Sequence, residues 1–302
     1  MENDKHDISI RIIAHQMKKK IKYLLFFCLL FMGAAEAHAA QIDYWRSDSI
    51  KVMKLFRKAH REVRDSNYML YFGRQFIGLP YVAKTLDLHK DEQLVVNLRQ
   101  FDCTTLVETA LALSECMKRK TPDFTHFCKE LALIRYRDGI VSYPTRQHYF
   151  TYWINQNVRK RLVTDLQGPV PPFTAKQLVS VNYMTTHPSA YPMLKMHPNW
   201  IGEIRKMEDS ISGHTYRYIP KAALDNSALL RSTIYNGDII VILTSKRGLD
   251  TSHIGIAVWH ADGLHLLNAS AIRHHVVEEP KLFRTYMMEH RTFTGIRVVR
   301  AI

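Results

Sequence analysis

Cys103 has the residue type and the sequence setting of a nucleophile. It stands in FDCTTLVE, directly after Asp102, where an apolar pattern typical of a helix begins. A helix N-terminus carries unpaired amide N–H groups and partial positive charge, which stabilise a thiolate and can bind a developing oxyanion. We therefore expect Asp102 to cap the helix and the pKa of the Cys103 thiol to be lowered. A buried structural cysteine or half of a disulfide would give a similar pattern.

His253, far downstream of the cysteine, could supply the base that such a thiol needs. It begins HIGIAVW, whose alternation of large apolar and small residues predicts a strand. Gly255 and Ala257 fall on the face of the histidine, so we expect a helix end to approach that face closely. The alternative is a histidine with a purely structural place in the strand.

A third group could orient the imidazole from the next strand. Asp262 and Gly263 form a tight-turn dipeptide, after which LHLLNAS is expected to return antiparallel to the histidine strand. His265 and Asn268 are the candidates for this position, and the alternative for Asn268 is a turn residue at a strand end. A cysteine, a histidine base and an orienting residue together would make a thiol-nucleophile triad.

The number of cysteines favours an unpaired thiol. If the N-terminal segment is removed, Cys103, Cys116 and Cys128 remain, and an odd number leaves at least one of them unpaired. Cys116 and Cys128 could pair with each other, but both fall in helical patterns, where we expect them to be small buried side chains.

Residues 1–40 have the features of a bacterial secretory signal. From Met17 onward a basic start, an apolar run and a small-residue end precede an expected cleavage site near Ala39 or Ala40. We therefore expect the true start near Met17 and export to the periplasm. A membrane anchor is the alternative, but the apolar run is short for crossing a bilayer. Cys28 follows two phenylalanines rather than small residues, so no lipoprotein is predicted.

The composition and motifs argue against nucleic acid and metal ions as partners. A formal net charge of +14 indicates a basic surface, which would attract anionic polymers or membrane surfaces. An exported chain without a basic-aromatic motif is a poor candidate for binding nucleic acid. The chain has 16 histidines but no H-E-x-x-H or similar ligand spacing, so no metal site is predicted. We expect no cofactor and no obligate protein partner.

Hydrophobic periodicity predicts helices first and short strands later, an order that is typical of an α+β fold. The predicted helices cover residues 47–66, 67–81, 103–118, 122–135 and 199–212, and the predicted strands cover 93–98, 215–220, 237–245, 253–259, 264–270 and 294–300. Residues 136–150 lack a clear period and are interpreted as a functional loop. We expect a single domain over 41–302, in which residues 170–220 are a candidate insertion or helical subdomain.

These motifs resemble the NlpC-type cell-wall cysteine hydrolases of the papain superfamily. The cysteine at a helix start, HIGIA on a strand and a hairpin ending in NAS carry the resemblance, together with GLPY and NGDII. FDCTTLVE, RYRDGIVSYPTRQHYF and LHLLNAS are similar to the N-acetylmuramoyl-L-alanine amidase-like branch. The resemblance spans residues 67–300 and implies a papain-like NlpC-type fold, with N-terminal helices packed on an antiparallel sheet.

The resemblance also implies a role for each residue at the site. Cys103 would be the nucleophile, His253 the general base, and Tyr81 a neighbour of the thiol that helps to hold the reacting carbonyl. Asn268 stands where many relatives carry a histidine and would be the third member of the triad, with His265 as the alternative.

Substrate-binding residues would come from the loop over 136–150. They are Arg137, Asp138, Tyr143, Arg146, His148 and Tyr149. Guanidinium groups suit lactyl and peptide carboxylates, and aromatic faces suit sugar rings. The alternative is a self-satisfied salt-bridge network within the loop.

The implied reaction is hydrolysis of the amide between the N-acetylmuramic acid lactyl group and L-alanine, through a thioester on Cys103, with muropeptides as substrates. An NlpC-type endopeptidase that cuts between D-glutamate and the diamino acid is one alternative. A non-catalytic peptidoglycan-binding module is another. A poised Cys103 would react with iodoacetamide near neutral pH faster than an ordinary thiol.

Overall fold

An antiparallel sheet forms the centre of the protein and carries the predicted histidine strand. The computed structural model describes residues 41–63 and 67–302. The strands within these residues are β1 (Ile42–Tyr44), β2 (Leu94–Val96), β3 (Val163–Leu166), β4 (Ala175–Leu178), β5 (Thr215–Pro220), β6 (Ile239–Thr244), β7 (Thr251–Trp259), β8 (Leu264–Ser270), β9 (His275–Glu278) and β10 (Phe293–Ala301). The large sheet has the order β4-β5-β10-β6-β7-β8-β9, with β3 paired to β10, and all of its pairs are antiparallel. Strands β1 and β2 form a separate parallel pair.

Helices precede most of these strands along the chain. In the described residues they are α1 (Arg46–Glu62), α2 (Tyr68–Arg74), α3 (Cys103–Lys118), α4 (Phe124–Arg135), α5 (Phe150–Arg159), α6 (Tyr183–Thr186), α7 (Pro192–Met196), α8 (Ile201–Ile211), α9 (Ala228–Thr233) and α10 (Phe283–Glu289). The predicted α+β class is therefore confirmed, and α3, β5 and β8 have the predicted bounds. Helix α2 ends at Arg74, before Gly78 and Pro80, where the sequence predicts its end; the chain turns at Gly78, whose φ of +86° suits glycine.

Two apolar clusters cover the two faces of the sheet, and the cysteine helix packs on only one of them. Side chains of α3 share a cluster with Ile254, Ile256 and Val258, whereas Ala257 belongs to the cluster on the opposite face. The body of α3 therefore lies on the face opposite Gly255 and Ala257, whereas the start of the helix meets β7 at the Ile254 N–H.

Gly255 is small for a different reason. A Cβ atom on it would lie 2.8 Å from both Leu266 Cδ1 and the Leu267 carbonyl oxygen, so the neighbouring strand leaves no room for a side chain. Close helix approach occurs instead at Gly73 of α2, where a Cβ would lie 2.7 Å from Leu267 Cδ2 and 2.8 Å from Ile256 Cδ1.

The segment predicted as an insertion has an apolar cluster of its own. Between β4 and β5 it contains α6, α7 and α8, and its buried side chains include Met193, Ile204 and Met207. Tyr143 and Tyr149 from the predicted functional loop belong to the same cluster. Because β4 and β5 also join the large sheet, the segment is tied to the rest of the protein by backbone hydrogen bonds.

Two predictions concern residues that the structure does not describe. The signal peptide over 1–40 and Cys28 within it lie outside the described residues. Of the helices in 41–63 and 67–302, none combines the length and apolar composition that crossing a membrane requires.

Candidate active site

The start of α3 is held by the cap that the sequence predicts. Asp102 is the N-cap residue, and its Oδ1 atom accepts hydrogen bonds of 2.8 Å from both the backbone N–H and the hydroxyl of Thr105. The Asp102 N–H in turn donates to Thr105 Oγ1 at 2.9 Å. One residue earlier, the buried ring of Phe101 packs on Phe76 with centroids 4.7 Å apart. This local network fixes Cys103 at the first position of the helix.

Cys103 lies beside the start of the histidine strand. The backbone N–H of Ile254, the residue that follows His253, donates a hydrogen bond to Cys103 Sγ. Cys103 is partly exposed, whereas Cys116 and Cys128 are buried, and none of these three forms a disulfide. The structure therefore brings together the two segments from which the nucleophile and base were predicted, and it leaves the thiol unpaired.

The predicted lowering of the Cys103 pKa is wrong. Although part of the residue reaches solvent, desolvation of the sulfur, and to a smaller extent the Asp102 carboxylate, raises the pKa of the Cys103 thiol to about 12. Hydrogen bonds from Ile254 and Thr104 oppose this rise but do not cancel it. Desolvation also lowers the pKa of His253. Both groups are consequently neutral near pH 7, so the resting site holds a thiol and an imidazole rather than an ion pair.

The His253 ring is oriented by Asn268. Nε2 of His253 lies 2.9 Å from Asn268 Oδ1, and Asn268 Nδ2 donates to the Leu266 carbonyl oxygen at 3.3 Å. An amide oxygen can only accept, so Nε2 carries the proton, and Nδ1 is left as the basic nitrogen of the neutral ring. Asn268 is fully buried, which keeps this geometry rigid.

His265, the alternative orienting residue, has a different place. Its Nδ1 lies 2.8 Å from the Glu279 carbonyl oxygen and its Nε2 lies 3.1 Å from Asp262 Oδ1. Both ring nitrogens are therefore used at the β7–β8 turn, and the structure brings only Asn268 into contact with His253.

Tyr81 reaches the cysteine through the segment that precedes α3. Its backbone N–H donates to the His274 carbonyl at 2.9 Å, and the Val82 N–H donates to the Phe101 carbonyl at 2.9 Å. Desolvation raises the pKa of Tyr81, and the charges that Cys103 and Asp102 can carry raise it further, which places its phenol near the thiol. The structure thus assembles Tyr81, Cys103 and His253 from three distant parts of the chain.

Two residues near the site have no motif that could have revealed them. Tyr286 on α10 is almost buried, and desolvation, Glu279 and then Cys103 raise its pKa to about 12. Glu279 is buried after β9, and Arg273 Nε lies 3.4 Å from its Oε2 atom. Over the described ranges, no group of three or more His, Cys, Asp and Glu side chains is arranged to hold a metal ion.

Three of the six predicted substrate-binding residues are buried in contacts that hold the loop together, namely Tyr143, Arg146 and Tyr149. Arg146 is buried, pairs with Asp87, and has its Nε 3.5 Å from Glu92 Oε1. Its guanidinium carbon also lies 4.7 Å from the centre of the Tyr143 ring. The alternative of a self-satisfied network describes Arg146, because a buried guanidinium is retained only where carboxylates pair with it.

The aromatic members of the loop are fixed in the same way. Tyr143 is buried and stacks on Trp200 with centroids 5.7 Å apart, and His148 Nε2 donates to the Tyr143 carbonyl at 2.8 Å. Tyr149 is also buried, and its hydroxyl donates to Glu208 Oε1 at 2.7 Å. Tyr143 and Tyr149 therefore attach the loop to the inserted segment, and His148 supports Tyr143 from within the loop.

Arg137 and Asp138 remain at the surface. Arg137 is partly exposed, and Asp138 is exposed and pairs with Arg159 at 2.8 Å between Oδ1 and Nη2. A role for these two residues in substrate binding stays a prediction.

Comparisons with known proteins agree with this architecture. The AmiA-like family model, described as N-acetylmuramoyl-L-alanine amidase-like, matches residues 71–296. No curated protein matches the chain. A solved N-acetylmuramoyl-L-alanine amidase from Bacteroides uniformis ATCC 8492 has 36% sequence identity and a TM-score of 0.73, and the match covers 78% of this chain and 98% of that one.

Two further solved structures are similar. A Bacteroides fragilis protein named as a putative xylanase has 39% identity and a TM-score of 0.71, over 76% of this chain and 99% of its own. A Legionella pneumophila protein with 22% identity and a TM-score of 0.66 shares the fold over 85% of this chain and 95% of its own. Since the family model covers well over half of the sequence, the chain belongs to the N-acetylmuramoyl-L-alanine amidase-like family.

Proposed function

We propose that this protein hydrolyses the amide that joins the lactyl group of N-acetylmuramic acid to L-alanine in peptidoglycan fragments, with Cys103 as the nucleophile. Family membership supports the amidase class and the muropeptide substrate. The observation that carries the cysteine mechanism is the hydrogen bond from Ile254 N–H to Cys103 Sγ, which brings the thiol to the residue that follows His253, whose ring is held by Asn268. This order of helix cysteine, strand histidine and polar third residue also supports membership of the NlpC-type, papain-like superfamily.

The neutral resting pair implies general-base catalysis. His253 Nδ1 takes the proton from the thiol as Sγ attacks the lactyl carbonyl carbon, and the carbonyl electron pair moves to oxygen. Amide N–H groups in the first turn of α3, assisted by the Tyr81 hydroxyl, stabilise the oxyanion. The C–N bond then breaks, His253 returns its proton to the alanine amine, and a thioester remains on Cys103. Water, activated by His253, cleaves the thioester and restores the thiol.

Glycoside hydrolysis, which the name of one relative suggests, is not favoured by this site. Most glycosidases need two carboxyl groups on either side of the scissile bond. Asp102 uses its carboxylate to cap α3, and Glu279 is buried beside Arg273.

Mass spectrometry of the products from a defined muropeptide tests the proposal. We expect wild type to release free N-acetylmuramic acid and the intact peptide, and Cys103→Ala to release neither. Cys116→Ala is the matched control, because that thiol is buried within α3 and away from the helix start. Cleavage after D-glutamate would instead identify the endopeptidase, and no cleavage by wild type would favour the binding module. Full activity of Cys103→Ala would exclude the cysteine mechanism.

We also propose export to the periplasm with cleavage near Ala39 or Ala40, on the strength of the N-terminal sequence pattern. The mass of the protein recovered from the periplasmic fraction tests this. A chain that begins near Gln41 is expected, and an intact N-terminus in the membrane fraction would support the anchor alternative.

A further inference from the structure

A cavity of about 560 Å³ lies between the inserted segment and the turn that links β6 to β7. The inserted segment contributes Asn182, Tyr183 and His187 to its wall, and the turn contributes Lys246 and Arg247. Its volume falls in the range of small-molecule sites, about 300–1,000 Å³. None of the residues predicted from the sequence lines this cavity.

The two walls are joined by backbone contacts, so the cavity is a built feature of the fold. The Gly248 carbonyl accepts hydrogen bonds of 3.2 Å from the N–H groups of Asn182 and Tyr183. Gly248 has a φ of +77°, and a Cβ atom there would lie 2.7 Å from Asn182 Oδ1, so only glycine fits. The Tyr183 ring stacks on His187 with centroids 4.3 Å apart, which fixes the opposite wall.

The charge of the lining is one-sided. Lys246 and Arg247 are exposed, and neither forms an ion pair with a carboxylate of the described residues. Asp and Glu are absent from the residues that line the cavity. Arg146, by contrast, is buried and paired with Asp87 and Glu92. Two unpaired cations in a polar cavity suit a carboxylate.

The cavity and the proposed base lie at the same end of the β6–β7 hairpin. Ile242 is paired with His253 in the register of the two strands, and Lys246 follows Ile242 by four residues. Leu249 of the lining precedes His253 by four residues, which span at most about 14 Å when fully extended. In a muropeptide whose lactyl carbonyl lies at Cys103, the next carboxylates belong to D-glutamate, the residue that follows L-alanine.

We infer that this cavity binds the carboxylates of the peptide stem, with Lys246 and Arg247 as the residues that recognise them. The inference rests on the proposed function and assigns a role to the inserted segment: it supplies the wall that turns an exposed β-turn into an anion site. Recognition there would favour substrates with free carboxylates over amidated ones.

The test compares N-acetylmuramoyl-L-alanyl-D-glutamate with its diamide as substrates. In the Lys246→Ala/Arg247→Ala variant we expect kcat/KM for the dicarboxylate to fall about tenfold, because charge-assisted hydrogen bonds are lost, and kcat/KM for the diamide to change less than about twofold. Lys246→Glu/Arg247→Glu should reverse the preference. Lys195→Ala/Arg205→Ala is the control, since it removes two exposed cations of the inserted segment that do not line the cavity.

Equal losses on both substrates, or no loss on either, would overturn the inference while the release of free sugar still supported the proposed function. Titration of the Cys103→Ala protein with the dipeptide L-alanyl-D-glutamate decides the case without catalysis. Binding that Lys246→Ala/Arg247→Ala weakens supports the anion site, and unchanged or absent binding contradicts it. If wild type released no sugar from either substrate, the proposed function would fail, and this titration would still show whether the cavity binds carboxylates.

Discussion

Nε2 of His253 donates a 2.9 Å hydrogen bond to Oδ1 of Asn268, which is fully buried on the adjacent strand. The bond selects one tautomer and leaves Nδ1 as the basic nitrogen. Because Asn268 Nδ2 is held by the Leu266 carbonyl, the amide cannot turn over without losing both contacts. The neutral asparagine therefore orients the base without adding a charge to a desolvated site.

Replacing Asn268 should impair turnover more than substrate binding. Asn268→Ala removes the acceptor of Nε2–H and lets the ring rotate, so we expect kcat to fall by about 10- to 100-fold, as when the groups that orient metal-bound histidines are lost. KM should change little, because the amide is buried and cannot touch substrate. Steady-state kinetics below the melting temperature of the variant measure this.

His265→Gln is the matched comparison for that experiment. The imidazole of His265 lies at the β7–β8 turn, in contact with Asp262 and the Glu279 carbonyl. Because it does not touch His253, kcat of this variant should stay within about twofold of wild type. A larger loss from His265→Gln than from Asn268→Ala would reverse the assignment of the orienting residue.

Activity should persist into acid solution. Catalysis needs neutral His253, and desolvation lowers the pKa of this imidazole below its ordinary value. A lowered pKa means that the base becomes protonated only at more acidic pH, so the acidic limb of kcat/KM should have its midpoint below about pH 6.5. The measured pH profile of kcat/KM checks this, and a midpoint above pH 7 would contradict it.

The rise in the Cys103 pKa predicts slow alkylation. At pH 7 the resting thiol should react with iodoacetamide more slowly than an ordinary thiol, the reverse of what its place at a helix start suggests. Asp102→Asn keeps an N-cap acceptor but removes the negative charge, so we expect alkylation to speed up by as much as about fivefold. Peptide mapping assigns the modified thiol, and an unchanged rate would show that desolvation alone sets the pKa.

The cysteine helix and the main strands were predictable because their signals are local. Asp102 as a cap and the apolar pattern after it both lie within α3, and the alternation in β7 and β8 lies within each strand. Short strands such as β3 carry no comparable signal, since β3 exists only through its pairing with β10, more than 120 residues away. Helix α5 lies outside the predicted elements, and burial of Trp153 and Ile154 in the core stabilises it.

The errors at the site have the same origin. Arg146 has the residue type and loop setting of a surface ligand-binding side chain, yet Asp87 and Glu92, more than 50 residues earlier, enclose it. The Cys103 pKa depends on desolvation by segments that converge from across the chain, whereas the helix-terminus argument uses only adjacent residues. Local pattern predicts elements and candidate groups, but burial and charge balance depend on tertiary packing.

Removal of Arg146 should reduce stability strongly. Arg146→Ala leaves Asp87 without its partner and Glu92 uncompensated in a buried position, so we expect a loss of about 3–5 kcal/mol in the free energy of unfolding. Arg137→Ala, at a partly exposed position without an ion pair among the described residues, should cost less than about 0.5 kcal/mol. Urea unfolding measures both. If Arg146→Ala raised KM with full stability, the groove-lining interpretation would be restored.

Stability should also fall in weak acid because of His148. Desolvation, and then the charge of Arg146, lowers the pKa of this imidazole to about 3, and its Nε2–H is held by the Tyr143 carbonyl. Between about pH 6.5 and pH 3, His148 is protonated in the unfolded chain but stays neutral in the folded protein. The free energy of unfolding therefore decreases as the pH falls through this range.

The variant His148→Gln isolates this contribution. Its amide can still donate to the Tyr143 carbonyl but cannot be protonated, so the stability of wild type relative to the variant should decline steadily from pH 7 to pH 4.5. His214→Gln, which alters an exposed histidine ahead of β5, is the matched variant and should keep the wild-type slope. Urea unfolding at several pH values gives the two slopes. Parallel curves for wild type and His148→Gln would show that His148 is protonated in the folded protein, and would exclude a neutral His148 imidazole that donates to the Tyr143 carbonyl.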